Sequence, residues 1–176
     1  MLALLLLFLA SAVHAGSIEP KEAELLPGED GFTLSAAFTV DLGPRLADVA
    51  ARGVPLYFKL ECVVERPRKY WISEHIATRA VNYRLSYSSL TRQYRISTGA
   101  LHRNFDSLDD ALRSLSGVGS LQVTERGALK SGESYEAAVR LSLDRSQLPK
   151  PFQIDAITDR DWQVEATTLR WKFVAP

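Results

Sequence analysis

The chain has 176 residues, 46% of them hydrophobic, and its 21 Lys and Arg balance 21 Asp and Glu to a formal net charge of zero. That apolar content excludes a disordered chain. The single cysteine, Cys62, excludes an internal disulfide, and no cysteine cluster is available for zinc or an iron–sulfur group. The first fifteen residues, MLALLLLFLASAVHA, are a Leu-rich run ending in Val13-His14-Ala15, which places small residues at the minus-three and minus-one positions of a signal peptidase site. Cleavage after Ala15 and export to the periplasm are expected. A retained anchor is the competing reading, but the run is too short for about 30 Å of hydrocarbon, which takes roughly 20 residues. The remainder, 16–176, is expected to form a single antiparallel β domain.

Within that domain, residues 16–28 and Phe32–Asp41 read as an antiparallel pair across the turn signal Pro27-Gly28-Glu29-Asp30-Gly31. Leu46, Val49 and Ala50 then recur at helical spacing behind Pro44 and ahead of Gly53, predicting a helix over 44–52. Leu56, Phe58, Leu60, Cys62 and Val64 alternate with Tyr57, Lys59, Glu61 and Glu65, the period of a strand with one wet face. Pro67-Arg68-Lys69 supplies a turn, and Tyr70-Trp71-Ile72 is expected to begin the return strand, continuing through Val81, Tyr83, Leu85 and Tyr87. Arg92–Ser97 and Ala100–Phe105 add two short strands. A second helix is predicted over 106–116, capped by Asp106, with Leu108, Leu112 and Leu115 on one stripe. Val118–Thr124 and Ser134–Asp144 follow as strands. Leu148-Pro149-Lys150-Pro151 predicts an extended turn, with Phe152, Ile154 and Ala156 as a short strand or an apolar plug. The pattern of Trp162, Val164 and Ala166 loses phase against Leu169, Trp171 and Phe173 across Thr167-Thr168, predicting a bulge or bend. Eight or nine strands, two short helices and no βαβ spacing predict a mostly β fold, an antiparallel two-sheet β-sandwich. A curved sheet packed by both helices is the alternative.

Catalytic and metal-binding types are sparse. Asp155, Asp159 and Asp161 lack the Gly turn and distal Glu of a calcium loop. His75 and His102 stand apart with no third soft ligand. There is no G-x-S-x-G elbow, phosphate loop or dinucleotide fingerprint, so neither a catalytic residue nor a cofactor is expected. Cys62 shares a face with Leu60 and Val64 and reads as an inert buried thiol. Charge is unevenly placed: residues 59–103 hold nine Lys or Arg against three Asp or Glu. In that stretch Tyr83, Tyr87 and Tyr94 interleave with Arg79, Arg84, Arg92 and Arg95. Such a group can stack single-stranded nucleic acid, a use that export argues against. Ordinary strand packing, a protein interface built on Tyr and Arg, and an anionic lipid or glycan surface remain the readings. The candidate partner-binding residues are Arg84, Arg92, Arg95 and Tyr94.

Gly53–Phe58 (GVPLYF), Tyr70-Trp71 and Tyr83–Arg95 (YRLSYSSLTRQYR), with Leu148-Pro149, Trp162 and Trp171, resemble an uncharacterised proteobacterial family known only as a domain of unknown function. The resemblance implies an exported protein encoded near a two-component sensor kinase pair, and it carries no catalytic residue. It implies that Arg84, Tyr87, Leu90, Arg92, Tyr94 and Arg95 serve the fold or a partner, such as an envelope protein or a sensor component. A non-enzymatic interaction or signalling-accessory module is therefore expected, with an envelope hydrolase as the opposing hypothesis.

Overall fold

The computed structural model describes residues 16–70, 72–153, 162 and 164–176. The predicted signal segment, Trp71, Ile154 and Ala156, and the Asp155, Asp159 and Asp161 group lie outside them. Ten strands and two helices of nine residues appear among the described residues, in two sheets. The strands are β1 (Gly16–Gly28), β2 (Gly31–Asp41), β3 (Leu56–Arg66), β4 (Glu74–Ser88), β5 (Gln93–Thr98), β6 (Leu101–Phe105), β7 (Gly117–Gln122), β8 (Ser134–Leu143), β9 (Val164–Ala166) and β10 (Leu169–Val174). The helices are α1 (Gly43–Ala51) and α2 (Leu108–Ser116).

A four-stranded sheet runs β7-β2-β1-β9 and a six-stranded sheet runs β10-β8-β3-β4-β5-β6. Every pairing is antiparallel except β1 with β9, where Gly16–Ile18 match Val164–Ala166 in parallel. The alternation in the sequence sets which side faces in. Leu34, Ala36 and Phe38 of β2 are buried, as are Leu56, Phe58, Leu60, Cys62 and Val64 of β3 and the odd-numbered residues Tyr135–Leu143 of β8. The predicted sandwich is the observed one.

Helix α1 lays Leu46, Val49 and Ala50 into the core and ends at Gly53, whose φ of 89° suits the residue beyond a helix terminus. Helix α2 starts one residue later than the sequence suggests. Its cap is Ser107, whose Oγ accepts from the Asp110 amide at 3.1 Å, and Asp106 stays outside. Serine at this position satisfies an end amide directly.

Three further stretches differ from expectation. The return strand begins at Glu74, so Tyr70 and Ile72 sit in the connection, 84% and 93% exposed. Residues 150–153 are helical after a 3-10 turn at Arg145–Gln147, so Phe152 belongs to no strand. It acts as the plug, with its ring 5.3 Å from that of Trp162. The phase loss at Thr167-Thr168 is larger than a bulge: β9 belongs to one sheet and β10 to the other. The two residues between them let the chain change layers, with the Thr167 amide still donating to the Ile18 carbonyl at 3.0 Å, and the change resets which parity faces in.

Cys62 is fully buried between β8 and β4, and burial pushes its thiol up to about 12. The nucleophilic thiolate is correspondingly scarce at neutral pH. Native protein is expected to resist a small thiol reagent that labels the unfolded chain at once. Cys62→Ala should cost about 1 kcal/mol through a small cavity, measured by urea unfolding.

Candidate partner-binding face

The stretch Tyr83–Arg95 is a hairpin. Leu85 pairs with Ile96, Tyr87 with Tyr94 and Ser88 with Gln93, and a four-residue loop, 89–92, closes it. Arg92 ends that loop at φ 55°, a left-handed conformation that non-glycine residues adopt mainly in such turns. Leu90 stands at the tip, 93% exposed.

Register separates the four candidate residues. Arg84 opposes Ser97, and Arg95 opposes Ser86 and Asn104, so Arg84 and Arg95 project from the outer face of the six-stranded sheet. Arg84 lies over Tyr57, 6.0 Å from the ring centroid, and Arg95 Nε donates to Asn104 Oδ1 at 2.9 Å. Arg92 is exposed at the tip. Tyr94 points to the other face, where it packs against Tyr87 at 4.8 Å between centroids and opposes Phe105. Burial, with Tyr87 beside it, raises its hydroxyl above the usual tyrosine value. The three arginines therefore share one exposed region, and Tyr94 braces it from behind.

These arginines differ electrostatically from others in the chain. Arg52, Arg66, Arg68, Arg113 and Arg170 all meet a carboxylate. Arg79, Arg84, Arg92, Arg95 and Arg103 meet none among the described residues. Beside Arg95 a pocket of about 110 Å³ is lined by Ser86, Ser88, Thr91, Gln93 and Asn104. Hydroxyl and amide groups around a guanidinium suit a carboxylate or another small anion. Further along the same face, a trough of about 260 Å³ runs over Val63 and Ala138 between Glu61, Glu136, Arg140 and Arg170. Its charges are mixed, with Lys59 on Glu61 at 2.6 Å and Arg170 on Glu136 at 3.5 Å.

The histidines do not join this arrangement. His75 Nε2 and Thr78 Oγ1 are 3.3 Å apart on an exposed stretch of β4, and His102 is exposed on β6. Neither lines the trough or the pocket at Arg95.

The profile of a family described as a domain of unknown function, DUF4390, matches residues 15–172. The chain belongs to that family. No curated protein and no solved structure matches it. In this DUF4390 domain the two stretches singled out in the sequence prove to be neighbours: Leu56 pairs with Leu85, Tyr57 with Arg84 and Phe58 with Tyr83. Gly53–Phe58 and Tyr83–Arg95 thus form one three-strand unit that presents the arginine face.

Sequence reasoning missed a charged bracket at the opposite end of β4. Arg66 donates to Glu74 at 2.5 Å and to Glu133 at 2.6 Å, and Arg68 donates to Glu74 at 2.8 Å. Tyr135 Oη donates to Glu133 at 3.2 Å. The residues come from β3, the β3–β4 connection, β4 and the entry to β8, and it is the sheet register that brings Glu133 to Arg66. Hydrogen bonds from Arg68 and Arg66 hold the Glu74 carboxyl below its ordinary value of 4.5, and Arg66 does the same for Glu133. Carboxyls whose folded pKa is depressed bind fewer protons when folded than when unfolded. Their contribution is present above about pH 4.5 and lost as pH falls through the lowered folded values. Wild type should therefore lose stability more steeply than Arg66→Gln below that pH, with the two profiles parallel above it, as measured by urea midpoints across pH 3–7.

Proposed function

We propose that this DUF4390 domain is a non-enzymatic recognition module of the cell envelope that works by docking a protein partner on the outer face of the β4–β5 hairpin. The observation that carries the reading is the grouping of Arg84, Arg92 and Arg95, all exposed and none with a carboxylate partner among the described residues. Arginine presented this way keeps its fork of donors available for an incoming anion. The hydroxyl-lined pocket beside Arg95 gives such an anion a seat, and Leu90 at the tip adds apolar area. Periplasmic export, the reading of residues 1–15, places the partner among envelope proteins, a sensor component included. The same guanidinium groups would also attract anionic lipid headgroups or glycans, which is the second reading. Among the described residues the hydrolase reading has only the exposed His75–Thr78 pair in its favour, and no acid there hydrogen-bonds the histidine.

Crosslinking in intact cells, followed by identification of what is captured, tests the proposal. Wild type is expected to capture a specific envelope protein, and Arg84→Glu with Arg95→Glu to lose it while keeping a native unfolding midpoint. Arg92→Gly removes the third side chain while keeping the left-handed turn relaxed, and it should weaken capture without cost to the fold. Equal capture by wild type and the charge-reversed protein would reject this face as the interface.

A further inference from the structure

Strand β4 is fifteen residues long, yet its second neighbour in the sheet is short. Strand β5 meets it only from Arg84 to Ser88. Among the described residues, β4 from Glu74 to Tyr83 is paired on the β3 side alone, and no backbone hydrogen bond from a turn, loop or cap reaches it. The step is made by the β5–β6 hairpin, which turns back at Gly99-Ala100. The result is an open edge roughly 30 Å long at about 3.3 Å per residue, with a ready-made place for one more strand in line with β5.

Long open edges are usually blunted by proline, a bulge or a charge turned toward the core face. This one has no proline or glycine, and its register irregularity is confined to the Glu74 end. What guards it is Arg79. That residue is in register with Cys62, so it stands on the core-side face, yet it is exposed and meets no carboxylate among the described residues.

We infer that residues 74–83 of β4 take up an extended acidic segment of a partner protein by strand addition. The inference rests on the partner-docking reading above and specifies how the partner binds. Charge decides the occupant. Arg79 lies on the edge itself, Arg103 on β6 shares its face, and Arg84, just past the end of the edge, points to the outer face. Among the described residues none of the three meets a carboxylate, while Glu74, the one acid on the edge, is held by Arg66 and Arg68. An incoming strand whose alternate carboxylates turn to the core-side face meets Arg79, and among the described residues the edge itself offers no free carboxylate. A second copy of this chain fits worse. Pairing two β4 edges about an axis normal to the sheet keeps like faces together and sets the two Arg79 side chains opposite or diagonal to each other, which is destabilising. Backbone hydrogen bonds would supply the affinity and the alternate side chains the selectivity, as in other strand-addition complexes.

The test uses the purified chain and a ten-residue synthetic peptide alternating Glu and Val. Two further versions carry N-methyl groups on the odd or on the even backbone amides. Alternate amides of an added strand face the edge, so one methylated version should lose binding and the other should keep it. Amide hydrogen exchange is expected to slow within residues 74–83 on adding the parent peptide and to stay unchanged at the β10 edge. Arg79→Glu should weaken binding roughly tenfold, and Arg79→Gln less. Absence of binding, binding without protection in 74–83, or equal binding of both methylated versions would overturn strand addition. If the cellular capture still depends on Arg84 and Arg95 when the exchange result is negative, partner docking stands and only this geometry falls. If β4 is protected while capture ignores those arginines, strand addition holds and the outer-face interface falls.

Discussion

Replacing Phe58 by alanine is expected to lower the unfolding free energy by about 3–5 kcal/mol. Phe58 is at the middle of β3 and 1% exposed, opposite Tyr83 on one neighbour and Leu143 on the other. With strands on both sides fixing the backbone, the site has little room to collapse around the lost ring, so the cavity persists. The adjacent change, Tyr57→Ala, supplies the contrast. Tyr57 faces outward against Arg84, and its loss removes a ring–guanidinium contact at 6.0 Å, worth about 0.5–1 kcal/mol at an exposed site. Urea unfolding of both variants should give midpoints far apart. Similar losses at the two positions would contradict the assignment of faces along β3.

Gly31→Ala is the second large effect. Gly31 sits at the β1–β2 turn with φ 128°, and a β-carbon there would stand 2.1 Å from the Thr124 carbonyl oxygen. That backbone cannot yield easily, because Val123 and Thr124 amides both donate to the Phe32 carbonyl while the Phe32 amide donates to Thr124 Oγ1 at 3.1 Å. Backbone strain and overpacking together should cost about 3 kcal/mol. Gly99→Ala isolates the strain: its φ is also positive, at 57°, but nothing lies within 4 Å. About 1 kcal/mol is expected there. If the two alanine variants melt alike, the Gly31 turn is not docked on residues 123–125 as described.

The strands were legible wherever one face is buried and the other wet, because alternation is then forced. Residues 56–64 and 135–143 read correctly for this reason. The helices were legible from Leu46 and Val49 and from Leu108 and Leu115, although the cap moved from Asp106 to Ser107, since both residue types can accept an amide. Tyr70 and Ile72 misled because apolar residues next to a strand pattern look like its continuation, and only the structure shows them outside it. The candidate site was legible as a group of residues and illegible as a surface. Tyr94 and Arg95 are adjacent in sequence and therefore lie on opposite faces, whereas Arg84 and Arg95 come together only through the register of the hairpin. The Arg66 bracket and the open length of β4 had no local signal at all, because each depends on which strand stops where.

The parallel match of Gly16–Ile18 with Val164–Ala166 carries a consequence for the order of folding. A chain emerging from its N-terminus can form the β1–β2 hairpin and the β3–β4–β5 meander as soon as each is available, since those contacts are local. Neither sheet can be completed that way. The four-stranded sheet waits for β9, and the six-stranded sheet waits for β8 and β10. Closing a loop of nearly the whole chain adds an entropic delay to pairings that are already slow in β folds. The molecule therefore stays open until its last residues arrive, which keeps it threadable through a translocation channel if it is exported as proposed. A chain cut short before residue 162 would lack both closing strands and expose the sides of β1 and β8 as new templates for aggregation.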